Sequence, residues 1–286
     1  MEDAVILDGV CKTFRGFRLE NVSFSIKKGY ITGFIGPNGS GKTTTIKLIM
    51  NLLHPDAGTI RRFGQNDLRN NRTVMNRIGF VYAEPPFYDD LTVEQVKTVV
   101  AAFYSKWDET AYRRYRDAFE VPGDRKIKAL STGMKMKFSI ALALSHHADL
   151  ILMDEPTSGL DPVIRREILE LLSEVIQDEE KAIFFSTHIT TDLERIADYL
   201  IFIHRGRIVY SGEKDRLLEA YRVVKGPREI LTPGVKRILI GLRETGVGFE
   251  GLAPTDSVPA LGKQVLAEPP SLDDIMLYTV KGEPHA

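Results

Sequence analysis

Apolar and polar residues between positions 4 and 35 follow the spacing of strands. Val22, Phe24 and Ile26 alternate with Ser23, Ser25 and Lys27, the period of two expected of a half-buried antiparallel strand. Tyr30, Ile31, Phe34 and Ile35 then form a more continuous apolar strand running into Gly36, and Thr43 to Met50 reads as a helix. His54-Pro55-Asp56-Ala57-Gly58 predicts a turn before a short strand from Thr59 to Phe63. Ile78-Gly79-Phe80-Val81-Tyr82 predicts another strand. It ends in Ala83-Glu84-Pro85-Pro86, where successive prolines and then Asp89-Asp90 call for a long loop. Thr92 with Gln95 has the form of a capping box and starts a helix reaching about Ser105. Residues 92–120 are helix-rich and include Trp107, which suits a core position in a separate helical insert. After the break at Val121-Pro122-Gly123-Asp124, Leu130-Ser131-Thr132-Gly133 opens a helix extending to Ser145.

The second half returns to buried strands. Leu150, Ile151, Leu152 and Met153 close on Asp154 and Glu155, the pattern of a fully buried parallel strand that delivers two acids to its C-terminal end. Asp161 and Pro162 start a helix whose Ile164, Ile168, Leu171, Leu172 and Val175 make an apolar stripe. Ala182 to Thr187 forms the next buried strand and ends at His188. Leu200 to Ile203 and Arg207 to Tyr210 flank Arg205-Gly206 as a hairpin. Beyond Ser211-Gly212 short alternating segments are punctuated by Gly and Pro, and Ser271-Leu272-Asp273-Asp274 caps a last helix. This tail reads as a small α+β appendage without a catalytic motif.

Candidate chemistry centres on Gly36-Pro37-Asn38-Gly39-Ser40-Gly41-Lys42-Thr43, which fits the phosphate-binding pattern G-x-x-x-x-G-K-[ST] between a strand and a helix. Such a loop turns backbone N–H groups toward a triphosphate at a helix N-terminus, where partial positive charge favours anions. Its glycines let the backbone approach the phosphates. Lys42 is then expected on the β- and γ-phosphates, with Thr44 among the nucleotide-binding positions, and the Thr43 hydroxyl is expected on Mg²⁺. Asp154, Glu155 and His188 share the same predicted sheet edge. Phe14, upstream of the loop, suits either stacking on an adenine face or core packing, and spacing alone leaves both open.

The whole-chain composition removes several alternatives. With 286 residues, 43% hydrophobic and 27% charged, the chain has the balance of a globular protein. Its net charge of -1, from 38 basic and 39 acidic residues, argues against a nucleic-acid groove as the main business. The single Cys11 forms no internal disulfide and fits a reducing compartment as a small buried hydrophobe. Met1-Glu2-Asp3 lacks a signal pattern, and no apolar run approaches the ~18 residues that would cross a bilayer. A cytoplasmic chain is expected.

Taken in order, these motifs resemble those of the ATP-binding subunits of ABC transporters, over roughly residues 4–212. Gly36 to Thr43 is similar to the Walker A loop, Ile151 to Asp154 to Walker B and Glu155 to the catalytic glutamate. Ser158-Gly159-Leu160-Asp161 is similar to the D-loop and His188 to the switch histidine; Phe14 takes the place of the adenine-stacking aromatic. Leu130-Ser131-Thr132-Gly133-Met134 resembles the signature Leu-Ser-Gly-Gly-Gln, with Thr132 and Met134 replacing a glycine and a glutamine. The glutamine usual at the start of the long loop is replaced by Ala83, beside Glu84, which is a candidate for contacting Mg²⁺ or attacking water. The Leu-Ser-Thr-Gly-Met-Lys stretch, the Glu-Pro-Pro loop and the tail Ser-Leu-Asp-Asp-Ile-Met resemble the bacterial exporter branch that handles peptide antibiotics, bacitracin or amphipathic toxin peptides.

The resemblance implies an α/β P-loop NTPase (RecA-like) core with an antiparallel β subdomain. It also implies a helical subdomain at about 86–137, an ATPase domain over 1–212 and an accessory domain over 213–286. It further implies ATP and Mg²⁺ as ligands, with Asp154 on the metal, Glu155 polarising water and His188 on the γ-phosphate. Ser131 and Gly133 would meet the γ-phosphate held by a second copy, giving a two-fold dimer. An integral-membrane permease would hold the chain at the inner face of the cell membrane. The alternatives are a soluble ABC-type ATPase, or a nucleotide-sensing regulatory subunit that hydrolyses poorly.

Overall fold

The computed structural model describes residues 2–66 and 72–282. Contacts divide the chain into two compact units, Met1–Ile189 with Tyr199–Ser211, and Thr190–Asp198 with Gly212–Ala286. The sequence-based boundary at 212 differs from this division at one helix, residues 190–196, which groups with the tail.

The first unit opens with β1 (Asp3–Phe14) and β2 (Phe17–Lys27), an antiparallel pair closed by Phe14 opposite Phe17. Next come β3 (Ile31–Ile35), helix α1 (Lys42–Ile49) and β4 (Ala57–Arg62), which pairs antiparallel with the other edge of β1. After the short α2 (Arg72–Met75) and β5 (Ile78–Val81), the helical insert holds α3 (Val93–Ala101) and α4 (Glu109–Ala118), followed by α5 (Thr132–Leu144). Strand β6 (Leu150–Asp154), helix α6 (Pro162–Val175), strand β7 (Ala182–Thr187), β8 (Tyr199–His204) and β9 (Arg207–Glu213) complete it.

Strands β5, β6, β7, β3 and β8 run parallel in a six-stranded sheet of order β5-β6-β7-β3-β8-β9. A three-stranded sheet of order β2-β1-β4 packs against it. The alternation of β2 explains this packing, because Val22, Phe24 and Ile26 are buried on one face. The Phe24 ring stacks on Phe184 with centroids 5.9 Å apart, and Phe34 lies 5.1 Å from Phe184. This aromatic trio joins the two sheets, while Leu150, Leu152 and Ile201 fill the same core.

Arg62 ends β4 beneath this core, 3% exposed. Its Nε donates to Ile49 O at 2.6 Å and its Nη2 to Leu48 O at 2.5 Å, capping the last carbonyls of α1. Burial lowers its pKa to about 10, so it stays charged at neutral pH.

In the insert, the Thr92–Gln95 capping box is present and Asp108 caps α4. Helix α3 ends at Ala101, earlier than the expected Ser105, and the chain then turns so that Tyr104 stacks on His146, centroids 3.8 Å apart. That contact is tertiary, and it overrides the local helical pattern.

The second unit contains α7 (Thr190–Ile196), α8 (Lys214–Ala220), β10 (Tyr221–Gly226), α9 (Pro233–Ile238), β11 (Ile240–Glu244), β12 (Phe249–Pro254), β13 (Leu266–Glu268) and α10 (Leu272–Gly282). Its antiparallel sheet has the order β11-β12-β10-β13, with Val224, Phe249, Ala253 and Leu261 in a small core. Glu194 of α7 explains the grouping of that helix with the tail. Its carboxylate accepts the Leu272 N–H at the start of α10 at 2.7 Å, and its carbonyl accepts Lys214 Nζ at 2.9 Å.

Candidate active site

Strand register brings the chemistry-bearing residues to one edge of the first unit. Ile35, the last residue before the loop, lies opposite Thr187 of β7, and Asp154 lies opposite Ser186. The loop, the two acids and His188 therefore emerge together at the C-terminal ends of β3, β6 and β7, where open parallel sheets bind ligands.

The loop needs its glycines for two distinct reasons. A Cβ on Gly36 would come within 2.2 Å of Ile203 O, so close packing on β8 excludes any side chain. Gly41 has φ 114° and caps α1 without a side chain. The first N–H groups of α1 are consequently left for an external acceptor. Next to them Lys42, 7% exposed, donates to Gly36 O at 2.8 Å and lies 3.4 Å from Glu155 Oε1.

Three further residues, Thr43, Ser186 and His188, fix the acids. Thr43 Oγ1 donates to Asp154 Oδ2 at 3.0 Å, and Ser186 Oγ donates to Asp154 Oδ1 at 2.7 Å. His188 Nδ1 lies 2.7 Å from Glu155 Oε2, which also accepts the His188 N–H at 3.1 Å. Glu155 adopts φ 52°, unusual for a residue with a side chain, and its N–H donates to Ser186 O at 2.9 Å. This turn out of β6 separates the acids: Asp154 meets Thr43 while Glu155 meets Lys42 and His188.

Gly16, Phe17, Asn38, Gly39, Gly41, Lys42, Thr43, Thr44 and Glu155 line a cleft of about 490 Å³ at this edge. Uncapped helix N–H groups and a lysine suit polyphosphate oxygens. Thr43 Oγ1 and Asp154 Oδ2 are hard oxygen donors at hydrogen-bond distance, which fits a Mg²⁺ ion that takes only one or two protein oxygens and completes its shell with phosphate and water. Among the described residues no group of three or more His, Cys, Asp or Glu side chains could hold a metal alone.

Not every candidate residue gathers here. Phe14 is 40% exposed, with Lys12 Nζ 5.9 Å from its ring centroid, whereas Phe17 across the hairpin lines the cleft. The sequence reading missed Phe17; the Arg15-Gly16 turn was the available signal. Glu84 is exposed on the loop after β5 and does not line the cleft. Ser131 and Gly133 also lie outside the lining. Ser131 is exposed and caps its own helix by accepting the Met134 N–H at 3.2 Å, while Gly133 is buried against Ile164.

A second depression, about 350 Å³, is lined by Met50, Phe80, Tyr82, Pro86, Phe87, Val100, Tyr104, Ser139, Leu142 and Ala143. Tyr88 and Phe103, in the segments that border it, are 76% and 77% exposed. Tyr104 has a raised pKa, first because it is buried, and burial lowers that of His146 beneath its ring. No helix among the described residues is long and apolar enough to cross a membrane.

Comparison with known proteins adds three kinds of likeness. The profile of the ABC transporter family matches residues 19–158. The ABC transporter ATP-binding protein YtrB of Bacillus subtilis (strain 168) is 34% identical over 203 residues, 71% of this chain and 69% of that protein. The bacitracin transport ATP-binding protein BcrA of Bacillus licheniformis is 32% identical over 206 residues, 71% of this chain and 67% of that one. Among solved structures, the ATP-binding cassette MJ0796, dimeric in a post-hydrolysis state bound to ADP and Pi, superposes with TM-score 0.65 at 26% identity. The match covers 73% of this chain and 98% of that chain.

Proposed function

Since this chain belongs to the ATP-binding subunits of ABC transporters and is an ATPase, we propose that it is the motor of a bacterial exporter. In this reading it dimerises on ATP and drives a separate membrane subunit. The observation that carries the proposal is the convergence of Lys42, Thr43, Asp154, Glu155 and His188 at one sheet edge, where Asp154 and His188 contact the cleft-lining Thr43 and Glu155.

The chemistry follows from these positions. An incoming triphosphate takes the α1 N–H groups and draws Lys42 away from Glu155 toward the β- and γ-phosphates. Thr43 and Asp154 would hold Mg²⁺, which would supply neutralising charge to the bound triphosphate. Glu155, freed of its lysine, polarises a water and takes its proton as the water oxygen bonds to the γ-phosphorus. The bond from that phosphorus to the leaving ADP oxygen breaks in the same displacement. His188 holds Glu155 in place from the other side and meets the γ-phosphate. Catalysis of this kind is mostly positioning and charge neutralisation.

Ser131 supports the dimer reading. It is an exposed hydroxyl at a helix N-terminus and is absent from its own chain's cleft, so a second copy presenting it would complete the phosphate shell. The apolar depression bordered by Tyr88 and Phe103 would seat a cytoplasmic helix of the permease, holding the chain at the inner membrane face. The likeness to a bacitracin transport protein favours peptide or antibiotic cargo. Glu155→Gln tests the core of the proposal. Turnover is expected to fall by about 10²–10⁴, while ATP converts the variant to a dimer in size-exclusion chromatography with light scattering. A monomer under saturating ATP would refute the dimer reading.

A further inference from the structure

Ser186 is a polar residue in a fully buried strand, following the apolar run Ala182 to Phe185, and it is 0% exposed. Burial of a hydroxyl is unfavourable unless its bonding capacity is used. Here both roles are filled. Its proton goes to Asp154 Oδ1 at 2.7 Å, and its oxygen accepts the Glu155 N–H at 3.2 Å. The parallel register that sets Ser186 opposite Asp154 makes this pairing a property of the sheet.

We infer that Ser186 is the positioning residue of the cation site. It commits Oδ1 of Asp154 and so turns Oδ2 toward Thr43 Oγ1, 3.0 Å away. The same hydroxyl steadies the backbone at Glu155, whose left-handed turn sends the second acid to Lys42 and His188. One buried oxygen thereby orients Asp154 and shares the Glu155 N–H with the Ser186 carbonyl, which accepts it at 2.9 Å. Without it, Asp154, itself only 8% exposed, loses its buried donor and the carboxylate is free to rotate off the line to Thr43. The inference rests on Asp154 holding the divalent cation.

Four variants separate the possibilities: Ser186→Ala, the near-isosteric pair Ser186→Thr and Ser186→Val, and Asp154→Asn. Each is titrated with Mg²⁺ at saturating ATP, and Mn²⁺ binding in the presence of ADP is read by electron paramagnetic resonance. Nucleotide affinity is also measured in EDTA. Loss of the hydroxyl in the Ala and Val variants is expected to weaken Mg²⁺ and Mn²⁺ binding by about tenfold and to lower kcat comparably. Affinity for ATP without metal should stay within about twofold of the unaltered chain, since α1 and Lys42 are untouched, and Thr should restore the cation response. Unchanged Mn²⁺ binding in Ser186→Ala, alongside a weakened Asp154→Asn, would overturn the role of Ser186. Equal losses in Thr and Val would reduce it to packing and overturn it too. Unchanged Mn²⁺ binding in Asp154→Asn would instead remove the cation assignment beneath it.

Discussion

At the start of α1 the capping position is Gly41, which has no side chain to occupy the helix's own N–H groups. At the start of α5 it is Ser131, whose hydroxyl accepts the Met134 N–H. The first helix opens into a cleft with a lysine beside it; the second starts at an exposed serine that does not line that cleft. Their far ends differ as well. A charged guanidinium, Arg62, caps α1, while beyond the end of α5 at Leu144 lies His146, whose two ring nitrogens are 3.3 Å from Leu142 O and Ile78 O. Similar elements have thus been given unequal tasks. In the proposed reading helix α1 holds an anion within one chain, and helix α5 offers its capping hydroxyl to the phosphates of a second copy.

The strongest way to break this contrast is Lys42→Ala. Removing the buried lysine should weaken ATP binding by about 2–5 kcal/mol, measured by isothermal titration, and unchanged affinity would contradict the task given to α1. A weaker effect is expected at α5. Ser131→Ala should leave ATP binding to isolated chains intact and reduce turnover and ATP-dependent dimerisation by about tenfold. If it weakened binding to the isolated chain as Lys42→Ala does, the two helices would not differ as argued. Stability should respond least, at His146. Burial lowers its pKa below 6.5 in the folded chain, so between 6.5 and that lower value the unfolded chain binds the extra proton. Stability is retained above pH 6.5 and lost as pH falls, by less than about 1.4 kcal/mol per unit. Thermal melts at pH 7.5 and 5.5 should show the drop, and His146→Gln should reduce it.

Much of the α1 side of this comparison was legible in the sequence, because it is local. Strand, glycine-rich loop, lysine and helix are contiguous, and the acids close a buried strand whose end is marked by the change from Met153 to Asp154. The alternation of Val22, Phe24 and Ile26 announced a one-faced sheet, although not that Phe24 would stack on Phe184, since sheet-on-sheet contacts have no local signature. What remained hidden depends on register or tertiary contact. Phe17 rather than Phe14 lines the cleft although the two are directly paired at the hairpin, a difference that distance along the chain does not carry. Ser186 gains its meaning only opposite Asp154. Helix α7 drew no expectation from the sequence, and its Glu194 caps a helix 78 positions further along the chain.

Arg62 has a consequence of its own. Among the described residues its hydrogen-bond partners are neutral carbonyl oxygens, on which dissolved ions have little purchase. A cation behind α1 and an anion in front of it both run with the field of the peptide units between them. The short rod joining them is thus braced electrically from the rear before any nucleotide reaches its tip.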